Sequence, residues 1–276
     1  MMSGRLVALF LTIAGLYAAP VHADVMLLVH GYLSGAQSWD SSGVVPVLQR
    51  QGWRRAGILV AGPGGGRLIA AAGAASAKKI YTIELPSEAP VLLQAAQLRE
   101  ALEYIARVHE GEAVYLVGHS AGGVAARAAL VQGDGRNIKA LISIASPHLG
   151  TARAEQALDI TGVPFPLSLV ADFFGGEVYD TARRSRSLYV DLVRPRPGSL
   201  LFWLNRVQHP DMHYHSIIHT RDAGGAGDYV VPAYSQDMNN IPVLRGKSTR
   251  VLLDAPHALS ARDGAAIFNL LAGLDE

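Results

Sequence analysis

The chain of 276 residues contains no cysteine, which excludes disulfides, thiolate metal sites and a cysteine nucleophile. It also lacks an excess of charge of either sign: 24 Lys and Arg stand against 23 Asp and Glu, a formal charge of +1. A general nucleic-acid binder needs a basic footprint, so nucleic acid is set aside as a partner. Only 17% of residues are charged and 50% are hydrophobic, too apolar a balance for a disordered chain. No glycine period of collagen type is present. No repeat or linker divides the sequence, and at this length one large core or two small ones are possible.

The apolar run from Leu6 to Tyr17 falls short of the ~20 residues that cross a bilayer. Arg5 precedes it, and Ala18-Ala19-Pro20-Val21-His22-Ala23 follows. A basic start, a short apolar middle and small residues at the end are the parts of a secretory signal peptide, expected over residues 1–23. Removing it takes away Arg5 and leaves 23 basic against 23 acidic groups. A secreted or periplasmic bacterial location follows, and the lack of cysteine does not oppose it.

From there strands and helices alternate. Val25–Val29 is a continuous apolar run, as in a strand buried on both faces. Strands are expected at 58–60, 79–84, 113–117, 138–144, 213–220 and 250–253. Helices are expected at 44–51, 90–108, 121–131 and 263–271. In the helix over 90–108, Leu92, Leu93, Ala96, Leu102 and Ile105 form the apolar stripe, with Arg99, Glu100 and Glu103 facing water. Residues 61–77 are mostly Gly, Ala and Ser with no period and read as a loop or loose helix. Gly62–Arg67 lacks the Gly-Lys-Ser/Thr ending of a phosphate loop. Strands separated by helices give a mostly parallel sheet covered on both faces, with a cap or lid insertion at about 152–205.

Three places carry chemistry. Gly118-His119-Ser120-Ala121-Gly122 sits between an apolar strand and an Ala-rich helix. A nucleophilic serine needs such a sharp strand-to-helix turn, with glycines where a side chain would meet backbone. Ala121 then places its N–H at a helix N-terminus, where an oxyanion is stabilised. The second place is His30-Gly31-Tyr32, at the end of the first strand, with His30 as a loop-fixing side chain. The third is the base and its acid. His257 follows an apolar strand and precedes the last helix, unlike the competing His148, His209, His213, His215 and His219. His213, His215 and His219 share one strand face by period two, but no carboxylate cluster aligns with them as a metal site would need. For the acid, Asp228 in Gly227-Asp228-Tyr229-Val230-Val231-Pro232 leads, Asp222 is the runner-up, and Asp254 reads as a loop cap.

These pieces, with Ser146-Pro147-His148-Leu149-Gly150-Thr151, resemble the α/β-hydrolase superfamily, of the bacterial secreted lipase and esterase type. The resemblance implies Ser120 as nucleophile, His257 as base, Asp228 as acid, and the backbone N–H groups of Tyr32 and Ala121 as oxyanion donors. Gly31, Gly118, His119 and Gly122 support them. It implies hydrolysis of carboxylic esters with an acyl chain, and ester or lipid substrates met at a transient lipid interface. No cofactor is required, although relatives of this kind include calcium binders; no ligands for calcium are identifiable. A thioesterase, a polyester depolymerase, an acyltransferase or a silent binding protein would share the fold. The first motif strand lies so early that the two leading strands of larger hydrolases are expected to be missing.

Overall fold

The computed structural model describes residues 24–62, 65–71, 77–133, 135, 137–161, 181, 183–221 and 226–274. The signal segment, Asp222 and residues 162–180 of the insertion lie outside the described residues.

Eight strands form one sheet in the order β3-β2-β4-β1-β5-β6-β7-β8. They are β1 (Asp24–Val29), β2 (Arg54–Val60), β3 (Arg67–Ala71), β4 (Lys78–Glu84), β5 (Ala113–His119), β6 (Ile138–Ile144), β7 (His213–Thr220) and β8 (Ser248–Asp254). All neighbours are parallel except β2 and β3. The antiparallel β3 corrects the reading of 61–77 as loop or loose helix. Five residues at a sheet edge carry no long apolar period, so the sequence signal is too short to see. β2 and β3 complete the edge of the sheet beyond β4.

The helices are α1 (Ser38–Ser41), α2 (Val44–Arg50), α3 (Val91–Val108), α4 (Ala121–Gln132), α5 (Ala152–Thr161), α6 (Arg186–Leu192), α7 (Leu200–Leu204), α8 (Ala233–Gln236) and α9 (Ala261–Ala272). They cover both faces, and the alternation of β1 shows how. Val25, Leu27 and Val29 enter the cluster with α3 and α4, while Met26 and Leu28 meet Trp39, Val44 and Leu48 with Ile267 of α9. Period-two side chains on a central strand feed two cores at once.

The stripe expected on α3 is rotated. Its buried residues are Val91, Gln94, Ala95, Leu98, Ala101 and Ile105, whereas Leu92 and Leu93 are exposed. Small alanines face the Ala-rich α4, so the two helices come close, and the larger leucines turn outward. In the insertion, Leu188, Leu192, Leu201 and Leu204 are buried in the core shared with α3 and α4. The described part of the cap is therefore seated on the domain by apolar burial.

Candidate active site

Parallel strands bring the C-terminal ends of β1, β5, β7 and β8 to one edge, where loops of an open α/β sheet build ligand sites. The turn from β5 to α4 is one of them. Ser120 has φ 52° and ψ −128°, strained for a residue with a side chain. Its N–H donates to the Ile144 carbonyl at 2.9 Å, which anchors the turn to β6. A Cβ at Gly118 would lie 2.5 Å from Gly123 Cα, and one at Gly122 would run into the His30 carbonyl oxygen. The glycines thus let the start of α4 press against both the turn and the end of β1.

His257 lies in the loop between β8 and α9. Its Nε2 is 2.9 Å from Ser120 Oγ, and its Nδ1 is 2.7 Å from Asp228 Oδ2. The structure therefore brings Ser120, His257 and Asp228 into one hydrogen-bonded chain. The other oxygen of Asp228 accepts from the N–H groups of Val230 and Val231 at 2.9 and 2.8 Å. Burial alone would raise this carboxyl's pKa, but the His257 bond and charge, with the two backbone donors, hold it below the usual carboxylate range. Gln236 Nε2 also reaches Asp228 Oδ2, at 3.4 Å. Asp254 is exposed at the end of β8, away from that role.

Residues 30–36 run beside the serine. A Cβ at Gly31 would be 2.9 Å from Ser120 Cβ, so the backbone leading to Tyr32 passes next to the nucleophile candidate. Ala121 opens α4, and its N–H is one of the first four without a partner in the helix. Four hydrogen bonds fix this loop. The Leu85 N–H donates to His30 Nε2 at 3.1 Å, so His30 Nδ1 carries the proton and donates to the Gly31 carbonyl at 3.0 Å. Burial keeps His30 neutral by lowering its pKa. The Ala36 N–H donates to Glu84 Oε2 at 2.8 Å. The Tyr32 hydroxyl meets the Tyr189 hydroxyl of α6 at 2.5 Å, with the rings edge to face.

His119 is fully turned inward. Its Nε2–H donates to the His257 carbonyl at 2.8 Å, and the two rings stand 5.2 Å apart. Burial, then the neighbouring His257, push its pKa down to about 3, so it is a neutral donor. The segment 146–151 braces the acid loop from the other side. His148 Nε2 bonds Ser143 Oγ at 2.6 Å, Ser235 Oγ donates to the Gly150 carbonyl at 2.7 Å, and Thr151 Oγ1 donates to the Val230 carbonyl. The buried Arg127 of α4 donates to Asn205 Oδ1, and Asn205 in turn holds the His148 carbonyl at 3.0 Å. Nothing in the sequence marks this Arg127–Asn205–His148 relay, whose members are far apart in the chain.

The three histidines of β7 do not converge as ligands. His213 is exposed, His215 is stacked against it at 6.3 Å, and His219 bonds Asp263 and Pro256. Among the described residues no group of three or more His, Cys, Asp or Glu gathers for a metal ion. A surface groove of about 320 Å³ beside the acid loop, between Thr151–Arg153 and Gly227–Pro232, includes neither Ser120 nor His257.

The fold is that of the α/β-hydrolase superfamily. The sequence profile of the PGAP1-like alpha/beta domain matches residues 87–163, from α3 through the elbow to α5. A search of curated protein sequences finds no match. Among solved structures, the chain is similar to the lin2722 gene product of Listeria innocua, at 15% identity and TM-score 0.58, covering 90% of this chain and 93% of that one. It is similar to the mature lipase BlEst2 of Bacillus licheniformis, at 16% identity and TM-score 0.58, covering 92% of each. Phospholipase PlaB of Legionella pneumophila aligns at 15% identity and TM-score 0.52, over 79% of this chain and 45% of that protein.

Proposed function

We propose that the chain is a serine hydrolase of carboxylic esters bearing an acyl chain. The observation that carries this is the Asp228–His257–Ser120 chain of hydrogen bonds ending on a strained elbow serine. Ser120 Oγ attacks the ester carbonyl as His257 Nε2 takes its proton. The oxyanion forms beside the N–H groups of Tyr32 and Ala121, which cost no reorganisation because both are fixed by the surrounding backbone. His257 gives the proton to the leaving alcohol, and the acyl group stays on Ser120. Water, deprotonated by His257, then releases the acid and restores the serine. Asp228 keeps the His257 proton on Nδ1 and stabilises the imidazolium that forms.

An acyl or lipid substrate is supported by the setting of the oxyanion loop and by the lipase and phospholipase neighbours. Leu33, Leu92, Leu93 and Val190 are exposed. Leu33, Leu92 and Val190 adjoin residues that join the loop or α3 to α6: Tyr32 bonds Tyr189, and the Val91 N–H bonds Asp191. Apolar side chains around that junction suit an acyl chain or a lipid surface. Residues 1–23 act as an export signal in this reading, and the described helices include none long and apolar enough to cross a membrane. The test is a series of p-nitrophenyl esters of increasing chain length. The expected result is turnover that favours medium or long chains and rises sharply once substrate forms droplets or micelles. Smooth saturation with preference for short esters would leave a plain esterase under a fixed cap; no turnover of any ester would overturn the reading.

A further inference from the structure

Both ring nitrogens of His219 face acceptors. Nε2 lies 2.7 Å from Asp263 Oδ1, and Nδ1 lies 2.7 Å from the carbonyl of Pro256, the residue before His257. A carbonyl can only accept, so Nδ1 carries a proton. The second contact is an imidazolium with a carboxylate, or a neutral ring with a carboxylic acid. Asp263 decides between them. Its Oδ2 accepts from the Ser260 N–H at 2.8 Å and from Ser260 Oγ at 3.1 Å, in a capping box at the start of α9. Two donors and the positive end of a helix favour the ionised carboxylate. Both partners of this pair have fully buried side chains.

We propose that His219 is a positioning residue: as an imidazolium clamped between Asp263 and the Pro256 carbonyl, it fixes the loop that sets His257 against Ser120. The proposal rests on the ester-hydrolase reading of that couple. The loop is held at consecutive points. The Ala255 N–H donates to the Thr220 carbonyl, the Pro256 carbonyl accepts from His219, and the His257 carbonyl accepts from His119. Of these, only the His219 contact is made by a group that can change its charge near neutral pH.

The titratable groups facing His219 are Asp263 from α9, Asp228 from the acid loop and His119 from β5. Burial pulls the His219 pKa down, but the Asp263 bond and charge, the Pro256 carbonyl and Asp228 outweigh it, so the pKa lies above the ordinary histidine value. Because the folded value lies above the free one of ~6.5, the clamp's stabilisation is complete below that pH and is lost as pH rises through the folded value. On deprotonation the remaining proton stays with the carboxylate, the stronger acceptor, and the Pro256 carbonyl meets a lone pair. His257 then shifts, and a displacement of about 1 Å can cost ~10²-fold in rate.

Two measurements test this. The first is the pH profile of kcat and of fluorophosphonate labelling, for the wild type and Asp263→Asn. The amide keeps the cap's shape and removes the charge that holds the imidazolium. The expected result is an alkaline limb displaced by at least about one pH unit to lower pH, with a kcat loss of ~10-fold or more at neutral pH, partial recovery in acid and little change in KM. An unmoved alkaline limb overturns the proposal, because loss of a purely structural contact would lower the whole profile without shifting it. The second is nitrogen NMR of His219 in Ser120→Ala, which turns nothing over. Protons on both ring nitrogens at neutral pH are expected, and one protonated nitrogen overturns the clamp even if Asp263→Asn fails to fold. Absence of ester turnover in the wild type would instead sink the functional reading while leaving the NMR result standing.

Discussion

The loops that carry Asp228 and His257 are tied by short bonds between buried polar groups, whereas the described cap is seated by leucines and fringed by exposed ion pairs. On the first side, Asp228 takes two backbone donors, Gln236 spans the acid loop, and His119 and His219 hold successive carbonyls around His257. On the second, Leu188 and Leu201 are fully buried, while Arg184–Glu88 and Arg194–Glu155 lie at the surface. Hydrogen bonds are directional and fix atoms to tenths of an ångström, which proton transfer between Ser120 and His257 requires. Apolar contact is not directional and tolerates exchange of side chains of similar volume. In the proposed mechanism the chemistry therefore sits on the part of the molecule that resists change, and substrate access on the part that permits it.

Substitutions on the two sides should then differ by orders of magnitude. Asp228→Asn is expected to lower kcat by ~10⁴-fold with the fold retained, since the amide reverses the tautomer demanded of His257. Steady-state kinetics beside circular dichroism checks it, and a loss under tenfold would show that another acid serves. Gly122→Ala drives a methyl into the His30 carbonyl, and a stability loss of about 1–3 kcal/mol is expected from denaturant midpoints, together with reduced activity as the oxyanion loop moves. Tyr189→Phe removes the single polar bond from the described cap to Tyr32. Its expected effect is within ~10-fold on kcat/KM and larger for long-chain than short-chain esters, because Tyr32 acts through its backbone. Glu155→Gln, which breaks an exposed pair with Arg194, should leave kcat unchanged and Tm within ~2 °C. A large effect there would erase the contrast.

What the sequence discloses follows the same division. Ser120, His257 and Asp228 each lie in a short local pattern, with Asp222 left as the alternative acid, and the structure joins these three in one hydrogen-bonded chain. Ser260-Ala261-Arg262-Asp263 is a legible capping signal too, and it moves the start of α9 to Ala261, ahead of the Asp263 expected from apolar period alone. The pairing of His219 with Asp263 has no local trace, because the partners are 44 residues apart and meet only when β7 lies beside β8. The rotated face of α3 has another cause: its alanines are buried because the neighbouring helix is itself alanine-rich. The edge strand β3 is invisible to periodicity, since its five residues are too few to show a period.

The central claim is that Ser120 is a nucleophile activated by His257. Reaction of the full chain with a fluorophosphonate, followed by intact mass and peptide mapping, reads it without any choice of substrate. The account expects one adduct, on Ser120, formed rapidly in the wild type and absent from Ser120→Ala. A folded wild-type protein that takes no label, or one labelled equally after Ser120→Ala, would contradict it.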